Sequence, residues 1–217
     1  MSAIRSVAIF AALVVSAALP AEAQTGFLRT LDASAGPTVY FVRQGSDVDA
    51  NSRSGTWAGA EAAVRAGRIH VQVRVLFGSL GGSSAGLGQR VRETGLGVSL
   101  ALRPWLDLGV DVEALRLASD LATTLWRLYG VRGAVSQPLG VRGLTGRAEF
   151  AVYPITGVVA ARQLRRPMRA EVGVSYATPL LPLAIGLGYR VESIDFEDTN
   201  DLRLAGLLLG VTVRRGR

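Results

Sequence analysis

Apolar side chains recur at every second position along most of this chain. Ile69, Val71, Val73, Val75 and Phe77 alternate with His70, Gln72 and Arg74. Leu106, Leu108, Val110 and Val112 alternate with Asp107, Gly109, Asp111 and Glu113. Met168, Ala170, Val172, Val174 and Tyr176 alternate with Arg169, Glu171, Gly173 and Ser175, and Leu183 to Val191 repeat the pattern. Period two is the strand signature, with one apolar face and one small or charged face. The pattern predicts ten strands, near 38–45, 56–66, 68–79, 90–102, 105–117, 123–136, 143–154, 168–178, 182–195 and 202–214. Short turns fall at Gly67, Arg103-Pro104, Pro138-Leu139-Gly140 and Leu181-Pro182, and longer connections at 46–55, 80–89, 118–122, 155–167 and 196–201. The first strand is the weakest, and without it nine strands or a rearranged eight-strand barrel fit the pattern.

The N-terminus has a different character. Arg5 precedes an apolar stretch from Val7 to Leu19, and Pro20 leads to Ala21-Glu22-Ala23. A positive start, a short apolar run and a small-x-small site form a secretory signal peptide, cut after Ala23. The expected organisation is therefore a signal peptide at 1–23, an irregular leader at 24–37 and one β-domain at 38–217. No later run of ~18 apolar residues offers a transmembrane helix. The hydrophobic fraction is nevertheless 49%, which is high for an exported soluble chain. Cysteine is absent, which excludes disulfides and thiolate metal sites. The formal net charge is +7, but an exported chain without a basic helix or an aromatic RNA-binding motif is not a nucleic-acid binder.

Strands of eleven or more residues suit a tilted membrane strand, which needs ~9–11. The alternation of short turns and long loops matches the periplasmic and outer ends of an up-and-down transmembrane barrel. A soluble barrel with the apolar face inward has the same alternation. Two features favour the membrane version. The polar face is rich in Gly, Ala and Ser, as a crowded lumen requires. Its charges also carry both signs: Glu61, Arg65, Arg74, Glu93, Asp107, Asp111, Glu113, Arg132, Arg147, Glu149, Arg169, Glu171, Arg190 and Glu192. Opposite charges can pair across a narrow lumen and close it. Trp57, Phe77, Trp126, Tyr153 and Phe196 near the outer strand ends, with Trp105 and Tyr176 near the inner ends, are expected to form two interfacial belts.

With its signal peptide, its alternating strands and the closing segment Leu202–Arg214, the chain resembles the small bacterial outer-membrane β-barrel proteins. The resemblance implies an all-β antiparallel barrel of about ten strands in the cell outer membrane. It also implies contact with outer-membrane lipids, lipopolysaccharide included, and with the outer-membrane assembly machinery. Members usually end in an aromatic residue, whereas this chain ends Val211-Thr212-Val213-Arg214-Arg215-Gly216-Arg217.

Candidate chemistry is sparse. The sole histidine, His70, projects near Ser99 and Glu61, which could form a hydrolytic triad with His70 as base and Glu61 as its orienter. Outer-membrane lipid A deacylases and palmitoyltransferases use related constellations. A hydrogen-bonded lumen histidine is the plainer expectation. Omptin-type proteases need paired acids and a histidine at the outer rim; Asp195, Glu197 and Asp198 are there without a histidine. That oxygen-rich loop could hold Ca²⁺ or Mg²⁺, but it lacks the spacing and glycine of an EF-hand. Arg162, Arg165, Arg166 and Arg169 cluster in one outer connection, where guanidinium groups could hold lipopolysaccharide phosphates. No cofactor is implied. The expected function is non-enzymatic, in envelope integrity or surface interaction. A narrow pore for small solutes and a lipid-modifying enzyme are the alternatives.

Overall fold

The structure is a computed structural model that describes residues 31–46, 53–82, 88–119, 123–158, 164–196 and 202–215. These residues form ten strands: β1 (Leu31–Ser46), β2 (Arg53–Ala66), β3 (Ile69–Gly82), β4 (Gln89–Arg103), β5 (Leu106–Ala118), β6 (Thr123–Pro138), β7 (Leu144–Val158), β8 (Leu164–Ala177), β9 (Leu183–Phe196) and β10 (Leu202–Arg215). Each strand pairs antiparallel with its neighbours in sequence. β10 returns to β1, from Ala33↔Arg215 to Ser46↔Leu202, so the sheet is a closed barrel without a free edge. The ten-strand alternative is the one observed.

The predicted strands are present, with ends moved by a few residues. The largest change is at β1, which begins at Leu31, so residues 31–37 of the expected irregular leader are strand. Ala33, Ser34, Ala35, Gly36 and Pro37 carry no apolar alternation, and two of them are usual strand breakers. The pairing of Leu31–Gln44 with Arg53–Ala66 holds them in the sheet regardless. In β8 the register shifts between Arg165 and Met168, where Pro167 has no N–H to give to the ladder. The segment 1–23 expected to be a signal peptide, and residues 24–30, lie outside the described residues.

One end of the barrel carries the tight turns. Gly67 closes the β2–β3 turn at φ 57°, a left-handed conformation that glycine adopts without steric cost. Gly140 and Gly143, at φ 79° and 84°, do the same between β6 and β7. The other end is joined by the longer connections, whose tips lie outside the described residues.

The two faces of the sheet segregate by residue parity. Val98, Leu100, Leu108, Val110, Val131, Phe150, Val172, Val174, Ile185, Leu187, Leu207, Leu209 and Val211 all point outward and stay exposed. So broad an apolar surface on a closed barrel matches a hydrocarbon surround rather than water. The strands are 13 to 16 residues long. At ~3.3 Å per residue and a ~40° tilt they are long enough for an apolar band ~25 Å tall. The polar face points inward.

Candidate functional site

The interior has three layers. The layer nearest the long-loop end is apolar. Tyr40, Val42, Trp57, Leu76, Leu80, Val91, Leu115, Leu117, Trp126, Leu128, Tyr153, Ile194 and Leu204 belong to one contiguous buried cluster. Tyr40 and Trp57 face each other across β1 and β2, ring centroids 5.3 Å apart and planes at 87°. Edge-to-face pairing of this kind adds ~0.5–1.5 kcal/mol beyond burial. Three of the aromatics expected in an outer belt are therefore inside: Trp57, Trp126 and Tyr153 are almost wholly buried. The expectation used their position along the strand and ignored parity. Trp57 shares its face with Glu61, Trp126 with Arg132 and Tyr153 with Glu149. Phe77, Trp105 and Tyr176 do face outward. The side chain of Phe196 is not among those described.

The middle layer is a belt of ion pairs. Arg190 of β9 reaches Glu93 of β4 at 2.8 Å, Glu113 at 3.8 Å, and Glu192 on its own strand. Arg169 of β8 pairs with Asp111 at 2.7 Å, Glu149 at 3.0 Å and Glu113. Arg132 lies 3.5 Å from Glu149 and donates to Gln72 Oε1 at 3.1 Å. Arg74 of β3 bridges Glu61 at 3.3 Å and Glu171 of β8 at 3.4 Å. The Tyr153 hydroxyl lies 2.7 Å from Asp111 Oδ2 and 3.0 Å from Glu113 Oε2, tying the apolar layer to the belt. Small residues make room for these long side chains. A Cβ added at Gly97 would stand 2.3 Å from Arg132 Nη1. The belt leaves a void of about 10 Å³ beside Gln72, Arg74 and Arg132. That is about the least space that holds one water.

The third layer, at the short-turn end, is a polar cavity of about 360 Å³. Asp32, Glu61, Arg65, His70, Asp107, Arg147 and Glu171 line one part of its wall, and Gly173, Ser175, Ala184, Gly186, Gly188, Gly210 and Thr212 another. Arg65 is held by Asp107 at 2.8 Å and Arg147 by Glu149 at 2.6 Å.

The sequence-predicted residues divide clearly. His70 and Ser99 are direct partners across β3 and β4, as projected. They are not wired for hydrolysis. Neither His70 Nδ1 nor Ser99 Oγ has a hydrogen-bond partner among the described residues. Glu61 instead accepts from Gln72 Nε2 at 2.7 Å and from Arg74 Nε at 3.3 Å. The carboxylate nearest His70 Nδ1 is that of Asp107, at 3.9 Å, beyond hydrogen-bond reach. His70 lines the lumen cavity, as the plainer expectation has it, with Nδ1 unpartnered among the described residues.

Arg169 departs from the arginine cluster assigned to it. Its side chain is buried in the belt among three acids, because it lies on the inward face of β8. Arg162 lies outside the described residues, and the side chains of Arg165 and Arg166 are not described. The same holds for Glu197 and Asp198, which lie outside the described residues, and for the side chain of Asp195. The one acidic group spaced to hold a metal among the described residues is Glu93, Glu113 and Glu192. Arg190 stands among these three carboxylates and supplies their countercharge.

Sequence reasoning overlooked Gln72 and Tyr153 as members of the belt, although parity places both on the lumen face. It also passed over the outward arginines Arg90, Arg92, Arg116 and Arg127, which parity likewise reveals.

No protein-family profile matches the chain, and no curated protein matches it in sequence. Its three-dimensional form does match solved structures. The outer membrane protease OmpT from Escherichia coli superposes with a TM-score of 0.52 at 7% identity, over 85% of this chain and 96% of that one. Neisserial surface protein A gives 0.42 at 16% identity, over 85% and 96%. The translocator domain of the autotransporter NalP from Neisseria meningitidis gives 0.42 at 10% identity, over 98% and 97%. At such identities the likeness concerns the fold. A closed, ten-strand, antiparallel up-and-down barrel with an apolar outer face and a charged interior is the fold of the bacterial outer-membrane β-barrel proteins.

Proposed function

We propose that this chain is a non-conducting outer-membrane β-barrel serving envelope integrity or surface interaction, exported by a signal peptide cleaved after Ala23. The carrying observation is the closed interior. A solute entering the short-turn cavity meets a belt in which Arg74, Arg132, Arg169 and Arg190 are tied to acids on several strands. Beyond the belt it meets the packed side chains of Trp57, Leu76, Leu115, Trp126 and Leu204. Moving either layer aside would strand buried charges or open a cavity in a packed core, each costing several kcal/mol. This argues against the narrow-pore alternative. The unwired His70 and Ser99 argue against the lipid-modifying alternative.

The test is single-channel recording of the refolded barrel in planar bilayers. The expected record has no discrete conductance steps. Reproducible steps that scale with added protein would replace this reading with the pore.

A further inference from the structure

Charge is sorted across the barrel wall. Every acid whose side chain the structure describes faces the lumen. The outer face carries arginines without them. Four stand together toward the long-loop ends of three adjacent strands: Arg90 and Arg92 on β4, Arg116 on β5 and Arg127 on β6, all exposed. Arg92 and Arg116 are direct partners across β4 and β5. Arg90 is diagonal to Arg116 on one side, since it pairs with Ala118. Arg127 is diagonal on the other, since Leu125 pairs with Arg116. Like charges directly opposite on one sheet face repel and destabilise the pair, so this arrangement calls for an anion between them.

We propose that these arginines form a binding site for the phosphate groups of a phosphorylated glycolipid of the outer leaflet, the lipopolysaccharide class. The proposal rests on the outer-membrane reading above. Planar guanidinium groups match phosphate oxygens bidentately, and several around one headgroup favour a lipid with more than one phosphate. The surface below the arginines fits the rest of such a molecule. Arg92 lies over the Phe77 ring at 5.3 Å, and the outward side chains of Phe77, Leu96, Val112 and Tyr129 continue toward the middle of the barrel. A basic rim above an apolar wall suits an amphiphile better than free phosphate. The long-loop end is also the end that faces the outer leaflet in barrels of this architecture.

The experiment compares the wild-type barrel with R92Q/R116Q/R127Q, both purified from outer membranes in mild detergent. R68Q/R103Q/R142Q, at the short-turn end, serves as the charge-matched control. Glycolipid phosphate retained per barrel is measured by mass spectrometry. Thermal shifts are recorded with lipopolysaccharide, with its dephosphorylated form, with phosphatidylglycerol and with inorganic phosphate. Wild type and control should retain the glycolipid and be stabilised by it, dephosphorylation should abolish the shift, and the triple variant should retain about tenfold less or lower still. Equal retention by the triple variant and wild type would overturn the proposal. So would an equal shift with phosphatidylglycerol or inorganic phosphate, which would mark a general anion surface. A chain absent from the outer-membrane fraction would remove the parent reading itself, whereas a membrane-embedded barrel without the lipid dependence would fail this inference alone.

Discussion

Arg190 donates from Nη2 to Glu93 Oε1 at 2.8 Å, and neither side chain has any exposure to solvent. The two residues sit on β9 and β4, which stand five places apart around the closed ring of ten. The ion pair therefore crosses the full width of the lumen. Arg74 and Glu171, on β3 and β8, span another diameter at 3.4 Å. Opposite walls are thus joined by charge as well as by the circumferential hydrogen bonds of the sheet.

The central pair gives the sharpest stability prediction. Arg190→Met removes the cation shared by Glu93, Glu113 and Glu192 and should cost about 3–5 kcal/mol, because buried carboxylates are left uncompensated. The double variant Arg190→Met/Glu93→Met should recover part of that loss. The check is the denaturant midpoint of the reconstituted barrel, arranged as a double-mutant cycle.

Packing at Gly97 yields a second prediction. Gly97→Val would place side-chain carbons where Arg132 Nη1 now lies, displacing Arg132 from Gln72 and Glu149. The expected loss is about 1–3 kcal/mol, typical of overpacking that also breaks a buried polar contact. It should appear as a lower temperature for heat-dependent unfolding on a gel.

The tryptophans report which way each face points. Trp105 is half exposed at the β4–β5 turn, whereas Trp57 and Trp126 are buried in the lumen. In single-tryptophan variants reconstituted into brominated lipid, Trp105 emission should be strongly quenched and that of the other two little changed. Strong quenching of Trp57 or Trp126 would contradict the inward apolar layer.

His70 and Ser99 should be dispensable for chemistry. His70→Ala and Ser99→Ala are expected to leave the acylation pattern of lipid A and any ester hydrolysis as they are with the wild-type chain. A loss of either activity in both variants would revive the hydrolytic reading.

Much of this architecture was legible in the chain. The strands were readable because one sheet face meets an apolar medium and the other a polar lumen, which writes a period of two into the sequence. The same parity identified the lumen charges as a set. It did not identify partners: Arg190 meets Glu93 only after the strands tilt, stagger and close, and no local pattern encodes that stagger. The start of β1 was hidden because Ala33, Ser34, Ala35, Gly36 and Pro37 are small or turn-forming on both faces. Position along the strand puts Trp57, Trp126 and Tyr153 at the height of a membrane belt, but residue parity puts all three inside the barrel. Face decides whether an aromatic ring meets lipid or the core.

Each of these assignments depends on the barrel sitting in a membrane with its apolar face outward. The most direct measurement is electrophoretic mobility of the chain from an outer-membrane fraction, with and without boiling. A detergent-resistant barrel cross-braced by Arg190–Glu93 and Arg74–Glu171 should run at one position unheated and shift to another once boiled. Recovery as a soluble periplasmic protein with no heat-dependent shift would turn the apolar face inward and contradict the account.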